Sequence, residues 1–220
     1  MKILITAGGT REYIDGVRYI GNCSSGNTGA ALVNHLVAAG HDVTWLGARS
    51  ATKPTASCQQ IQYETFADLA EQLQNTLSAQ PYDLVFQAAA VSDFKVSSVI
   101  LDGQEFAAGR DVKLPTADQV QLNLTKQPKL VSALKNWSLN PDLKVLAFKL
   151  TNCHEVAKRQ AAIDKLLTQD VIDGVAHNDL NEITDDQHGF HLYFKQGEPI
   201  TCPDIRFMAD QVLQQLERSA

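Results

Sequence analysis

Two glycine clusters bracket a long polar insert near the start of the chain. The apolar run at residues 3–6 (ILIT) stops at Ala7, Gly8, Gly9 and Thr10, and SSGNTG at 24–29 opens a helical pattern. Glycine lets backbone N–H groups approach an anion closely, and a helix start adds partial positive charge. Gly8, Gly9, Gly26 and Gly29 are therefore candidate phosphate binders, with Thr10 and Ser25 in the same two clusters. Taken alone, the second cluster also reads as an ordinary cap, with Ser25 or Asn27 satisfying free N–H groups. The spacing is not that of GxGxxG, whose glycines share one short turn.

Other residues offer chemistry singly. Asp93, after Ala88, Ala89 and Ala90, suits a Mg²⁺ ligand or an acceptor for a ribose hydroxyl, and equally a strand-end turn. Lys113 sits in an irregular stretch, where it can swing over a phosphate or simply face solvent. Arg18 and Asn22, inside the insert, can grip a carboxylate and hydrogen-bond a carbonyl, or lie on the surface. Phe148 reads as core and Lys165 as a charge on an exposed helix face. Cys23 could be a thiol activated at a helix terminus, or a small residue that fits there. None of the six histidines has metal-site spacing, and the four cysteines are scattered without a CxxC. No local Ser-His-Asp or Cys-His motif is present.

Composition narrows the classes. The 220 residues, 44% hydrophobic and 20% charged, suffice for a real core in one domain. A net charge of −6 without a run of Lys or Arg argues against nucleic acid or an anionic membrane as partner. No apolar run approaches a membrane span and residues 1–6 are strand-like, so a cytoplasmic protein with reduced thiols is expected.

These residues must be held by an alternating framework. Helical spacing over 28–39 ends at Gly40, and residues 43–47 form a second buried strand, so a βαβ unit is predicted within the first fifty residues. A loop at 48–60, a short strand at 61–64, a helix over 66–77 and a core strand at 83–87 follow. Residues 94–119 break the rhythm and predict a long functional loop or flap. A strand at 121–124, a helix from Pro128 to 137, a strand at 144–150, a helix over 154–168 and a strand at 174–177 come next. Residues 190–194 and 199–201 flank Gln196-Gly197 as a hairpin, and an amphipathic helix over 204–217 closes the chain. Continuous apolar strands alternating with helices predict a parallel sheet covered on both faces, with strand ends at 7–10, 88–93 and 178–179 lining one crevice. From the residues alone this is an α/β protein that binds a phosphorylated ligand, a nucleotide by preference, without a Walker lysine.

The ordered set ITAGGTREYIDGVRYIGNCSSGNTGAAL, AAAVSDF, DVKLP, TKQPKLV, AFKL and HNDL resembles the phosphopantothenate–cysteine ligases over essentially the whole chain. It looks like the single-function bacterial form. The resemblance implies a single domain with a Rossmann-like three-layer α/β fold, a mostly parallel sheet and a small β-hairpin or flap extension at about 94–119. It implies joining 4′-phosphopantothenate to cysteine through an acyl-nucleotidylate made from CTP (ATP being the alternative), with Mg²⁺, no flavin and a homodimer. It also assigns roles. Asn22 and Lys113 become catalytic, and Arg18 and Asn22 substrate-binding. Gly8, Gly9, Thr10, Ser25, Gly26, Ala88, Ala89, Asp93, Lys113, Pro128, Lys129, Leu130, Val131, Phe148 and Lys165 become nucleotide-binding, with Asp93 also the metal candidate. Departures from the family pattern are Gly21 for serine, Asn27-Thr28 for a basic or apolar pair, Gln169 for a second helix lysine and His177 for alanine. A non-catalytic nucleotide- or sugar-phosphate-binding regulator on the same fold is the competing expectation. A short-chain oxidoreductase is disfavoured, since no YxxxK pair is present.

Overall fold

The computed structural model describes residues 1–184 and 188–218. In chain order the first half contains β1 (Lys2–Ala7), β2 (Arg11–Tyr13), β3 (Tyr19–Gly21), α1 (Asn27–Ala38), β4 (Asp42–Ala48), β5 (Gln59–Tyr63), α2 (Phe66–Ala79) and β6 (Leu84–Gln87). The second half contains β7 (Phe94–Leu101), β8 (Gln104–Ala107), β9 (Val120–Lys126), a 3₁₀ turn at Leu130–Ala133 continuing into α3 (Leu134–Trp137), β10 (Lys144–Thr151), α4 (Val156–Leu167), β11 (Gly174–Asp179), β12 (Phe190–Phe194), β13 (Ile200–Cys202) and α5 (Ile205–Arg218).

The apolar runs become the centre of one sheet because both faces must be covered. Ile3, Leu4, Ile5, Val85 and Phe86 have no exposed surface, as expected of strands in the middle of a parallel sheet. Among the described residues the sheet has eight strands in the order β13-β12-β11-β10-β6-β1-β4-β5. From β5 to β11 every pairing is parallel; β12 and β13 add antiparallel to the far edge. The path runs outward from β1 through β4 to β5, then returns to the other side of β1 with β6, β10 and β11. This is the doubly wound Rossmann-like order, whose strand direction of travel reverses between β1 and β6.

Helices form both outer layers. α1 packs on β1 and β4 and against α5, α2 meets β5 and α3, and α4 covers β10 and β11. α2 starts at a capping box: Asp68 N donates to the Thr65 hydroxyl at 3.1 Å and Thr65 N donates back to the Asp68 carboxylate at 3.0 Å. Its buried residues Phe66, Leu69, Leu73 and Leu77 recur at the spacing of a single helix face.

The stretch 94–119, expected as one long loop, is more ordered than that. β7 and β8 form a hairpin and β9 pairs with the other edge of β7, giving a separate three-stranded antiparallel sheet; only 108–119 remains irregular. The insert after β1 likewise folds into the β2–β3 hairpin. Val96, Val99, Leu101 and Leu114 form a small second core, against which Ile14 and Ile20 of the hairpin pack. The helix expected from Pro128 to 137 is instead a 3₁₀ turn and one turn of α-helix. No helix among the described residues is long and apolar enough to cross a membrane.

Candidate active site

Beyond the end of the sheet, the β1 and β6 strands stay joined. Gly9 bridges Ala90, Thr10 N donates to Ala90 O at 3.2 Å, and Ala90 N donates to Gly8 O at 2.9 Å. The hydroxyls of Thr6 and Thr10 accept from Ala89 N (3.0 Å) and Ser92 N (2.9 Å). The segment 88–93 is thus held across the reversal point of the fold.

The two glycine clusters come together here. Gly8 and Gly26 both have positive φ, +85° and +76°, and a side chain on Gly26 would approach Gly8 N to 3.4 Å. The space they leave is taken by Ala51, whose Cβ would lie 2.8 and 2.7 Å from a Cβ on Gly8 and Gly26. The close approach that forbids side chains is therefore that of the protein's own Ala51 at both positions, joined at Gly8 by Ala48, whose Cβ would lie at 2.7 Å. Gly26 is the N-cap of α1 and has no side-chain cap; Ser25 accepts from Asn27 N through its hydroxyl at 3.4 Å.

A cavity of about 720 Å³ opens one strand further along, between the ends of β6 and β10, within the usual size for a small-molecule site. Its floor is Gln87 and Ala147. Its walls include Ala89, Val91 and Phe148, then Pro128, Leu130 and Val131 from the 3₁₀ region, and Ala162 and Leu166 from α4. Phe148 is half-buried, its ring edge-on to Phe190 at 6.1 Å. Four lysines, Lys126, Lys129, Lys149 and Lys165, line it with one carboxylate, Asp93, which Lys129 pairs. In a chain of net charge −6 this local excess of cations matters: it marks a place for an anionic ligand. Asn22 reaches the rim, its side-chain amide donating to Val91 O at 3.2 Å.

Of the residues singled out in the sequence, Asn22, Ala89, Asp93, Pro128, Lys129, Leu130, Val131, Phe148 and Lys165 share this cavity. Gly8, Gly9, Thr10, Ser25, Gly26, Ala88, Arg18 and Lys113 do not line it. Arg18 is engaged elsewhere: its guanidinium donates to the buried Asp15 carboxylate from Nε at 3.0 Å and Nη2 at 2.5 Å, and Nη2 also donates to Leu114 O at 3.1 Å. Asp15 further accepts from Arg18 N, Val17 N and Leu114 N. The Arg18 bonds, above all, hold its carboxyl well below the usual carboxylate range. Lys113 is exposed between two tied neighbours, Leu114, held by Asp15, and Val112, whose carbonyl accepts from Gly16 N at 2.6 Å.

Gln87, Lys126 and Lys149 were not anticipated as site residues. The signal for Gln87 was a polar side chain closing an apolar run; it is 7% exposed, and both ends of its carboxamide lack a hydrogen-bond partner. An unpaired buried polar atom costs about 1–3 kcal/mol, so stability alone does not favour glutamine here. A second polar cluster closes the ends of β10 and β11. Buried Asp179 accepts from the Thr151 hydroxyl, Cys153 N at 3.2 Å and Asn181 N at 3.0 Å, with Arg159 Nε at 3.4 Å. These bonds, that of Thr151 foremost, hold its carboxyl low, and His177 shares the Thr151 hydroxyl at 2.8 Å. Among the described residues no group of three or more His, Cys, Asp or Glu could hold a metal ion.

The chain is similar in sequence and fold to known proteins. The family model of the DNA/pantothenate metabolism flavoprotein C-terminal domain matches residues 1–219. The coenzyme A biosynthesis bifunctional protein CoaBC of Thermococcus kodakarensis is 36% identical over 148 residues, covering 67% of this chain and 34% of that protein. CoaBC of Vibrio vulnificus CMCP6 is 29% identical over 227 residues, 98% of this chain and 52% of that protein. The chain thus spans about a third of the first of these proteins and about half of the second. The crystal structure of the DNA/pantothenate metabolism flavoprotein from Streptococcus pneumoniae superposes with a TM-score of 0.87 at 26% identity, over 100% of both chains. A Cab2 mutant in complex with phosphopantothenate-cysteine has the same fold, with a TM-score of 0.74 at 17% identity over 99% of this chain and 86% of that one. The chain belongs to the family of the DNA/pantothenate metabolism flavoprotein C-terminal domain.

Proposed function

We propose that the chain is a phosphopantothenate–cysteine ligase acting in coenzyme A biosynthesis, with CTP as activating nucleotide and ATP as the alternative. The observation that carries this is the cation-lined cavity with apolar walls and an amide, Asn22, at its rim. A carboxylate resists attack by an amine because its oxygen is a poor leaving group. In the first half-reaction a carboxylate oxygen of 4′-phosphopantothenate attacks the α-phosphorus, the bond to the β-phosphate oxygen breaks, and pyrophosphate leaves. In the second, the cysteine amine attacks the acyl carbon, loses a proton, and expels the nucleoside monophosphate.

Positioning and charge neutralisation carry most of such a transfer. Lys126, Lys129, Lys149 and Lys165 neutralise phosphate oxygens. The Asn22 amide holds the acyl oxygen as charge builds on it during amine attack. Lys113 reaches the phosphates when 108–119 moves with the hairpin to which it is tied, and Arg18 acts through that same tie. Asp93 at the rim fits a Mg²⁺ that arrives on the triphosphate, since such an ion needs only one or two protein carboxylates. Asp93 would have to leave its pairing with Lys129 to hold the ion, which would then offset charge on the triphosphate. Reaction without flavin and a homodimeric state complete the proposal. The exposed apolar residues Val17, Tyr19, Phe94, Val120 and Leu124, all on the hairpin and the three-stranded sheet, support the latter.

Pyrophosphate release tests the function against the non-catalytic regulator. The ligase releases it only when both phosphopantothenate and a triphosphate are present. A protein that binds nucleotide and releases none under those conditions is the regulator.

A further inference from the structure

Gln87 lies in the cavity floor, and the chemistry above leaves it unused. It closes β6, in register with Thr6 of β1 on one side and Ala147 of β10 on the other. Registered neighbours in a parallel sheet project to the same face. Ala147 belongs to the cluster that holds Ile163 of α4 and Val131 of the 3₁₀ turn, so Gln87 projects into the layer between sheet, turn and α4 that contains the cavity. There its Oε1 and Nε2 have less than 1 Å² of exposed surface each and no partner, just beneath the floor. Ala89, Ala147, Leu130 and Phe148 around the cavity bring apolar side chains only.

A primary carboxamide carries a donor and an acceptor side by side in one plane. Phosphate oxygens accept only and cannot serve its Oε1. A trans secondary amide, as in a pantothenate arm, presents its N–H and C=O on opposite edges and reaches one end at a time. A nucleobase edge such as cytosine N3 with its 4-amino group, or adenine N1 with its 6-amino group, serves both ends at once. The four lysines already account for the phosphates.

We propose that Gln87 turns its carboxamide up into the cavity and pairs with the hydrogen-bonding edge of the nucleobase, seating the base of the nucleoside triphosphate. This rests on the ligase reading given above. Pairing with a base satisfies both buried atoms at once, and removing the amide takes those bonds from the nucleotide.

The test compares the unaltered protein with Gln87→Met, which keeps volume and removes the amide. Steady-state constants are measured with CTP, ATP, GTP and UTP, alongside calorimetric binding of the same four nucleotides. The expected result is a rise of about tenfold or more in the KM and the dissociation constant of the nucleotides that the unaltered protein uses. The constants for phosphopantothenate and cysteine stay within about twofold, and the ligand-free melting temperature holds or rises because an unpaired amide is gone. Unchanged nucleotide constants overturn the proposal, as does a rise confined to phosphopantothenate or a fall in melting temperature without a change in nucleotide affinity. Absence of product from the unaltered protein strikes the ligase reading instead, and the calorimetric comparison then still decides the role of Gln87.

Discussion

Asn22 brings its amide to the cavity rim with one N–H engaged on Val91 O, and its own carbonyl oxygen lies where a side chain on Gly9 would come within 2.4 Å. Glycine at position 9 is thus what lets the Asn22 backbone lie against the end of β1. If that amide stabilises the acyl oxygen in the second half-reaction, Asn22→Ala should still release pyrophosphate but form the amide product about 100-fold more slowly, the usual cost of one such donor. Following both products from one reaction measures the split, and equal loss of the two half-reactions removes Asn22 from that role. Asn22 was legible in the sequence because its neighbours form a recognisable run. Gln87 was not, because its burial depends on β10, some sixty residues later in the chain, packing alongside it. Lys149 was hidden for a similar reason: a lysine near the end of an apolar strand looks like an exit to solvent until α4 is placed beside it.

The hairpin β2–β3 and the irregular 108–119 segment behave as one element, pinned by Asp15. Its carboxylate gathers Arg18 and the Leu114 amide, and Gly16 N adds a bond to Val112. Asp15→Asn keeps the shape but loses the charge that draws the guanidinium. Hydrogen exchange should then show the amides of Gly16 and Leu114 exchanging at least about tenfold faster, with the core strands unaffected. Unchanged protection at both amides would mean that the pairing does not hold the segment. The order within 94–107 was obscured by a bulge. The register with β9 shifts between Val96 and Ser98, so Val96 and Val99 are both buried and the period-2 alternation is lost. The turn signal was nonetheless present: Asp102-Gly103 adopts φ of +48° and +85°, the pattern of a tight hairpin. The parallel core was easier, since its apolar runs and glycine or capping stops are local features.

Across the whole molecule, most of the shifted groups that titrate between about pH 3 and 7 lean one way with pH; buried Glu12, raised chiefly by desolvation, leans the other. Asp15 and Asp179 have folded-state pKa values below those of the unfolded chain, so their contribution is present above about pH 4 and is lost as pH falls below it. His177 is depressed chiefly by burial and then by His191; the unfolded chain takes up its proton near pH 6.5 while the fold resists. Desolvation depresses the half-buried His41 and the exposed His188, whose ring stacks on Phe190, in the same direction. Urea midpoints should therefore decline steadily from about pH 7 downward, first through the histidines and then more steeply near pH 4. A midpoint that rises between pH 7 and 5 contradicts this account of the buried groups. The central claim concerns chemistry, and an isotope reads it most directly. With phosphopantothenate labelled with ¹⁸O in its carboxyl group, an acyl-nucleotidylate predicts one labelled oxygen in the released nucleoside monophosphate and none in pyrophosphate. Label appearing in inorganic phosphate alongside a nucleoside diphosphate would contradict it.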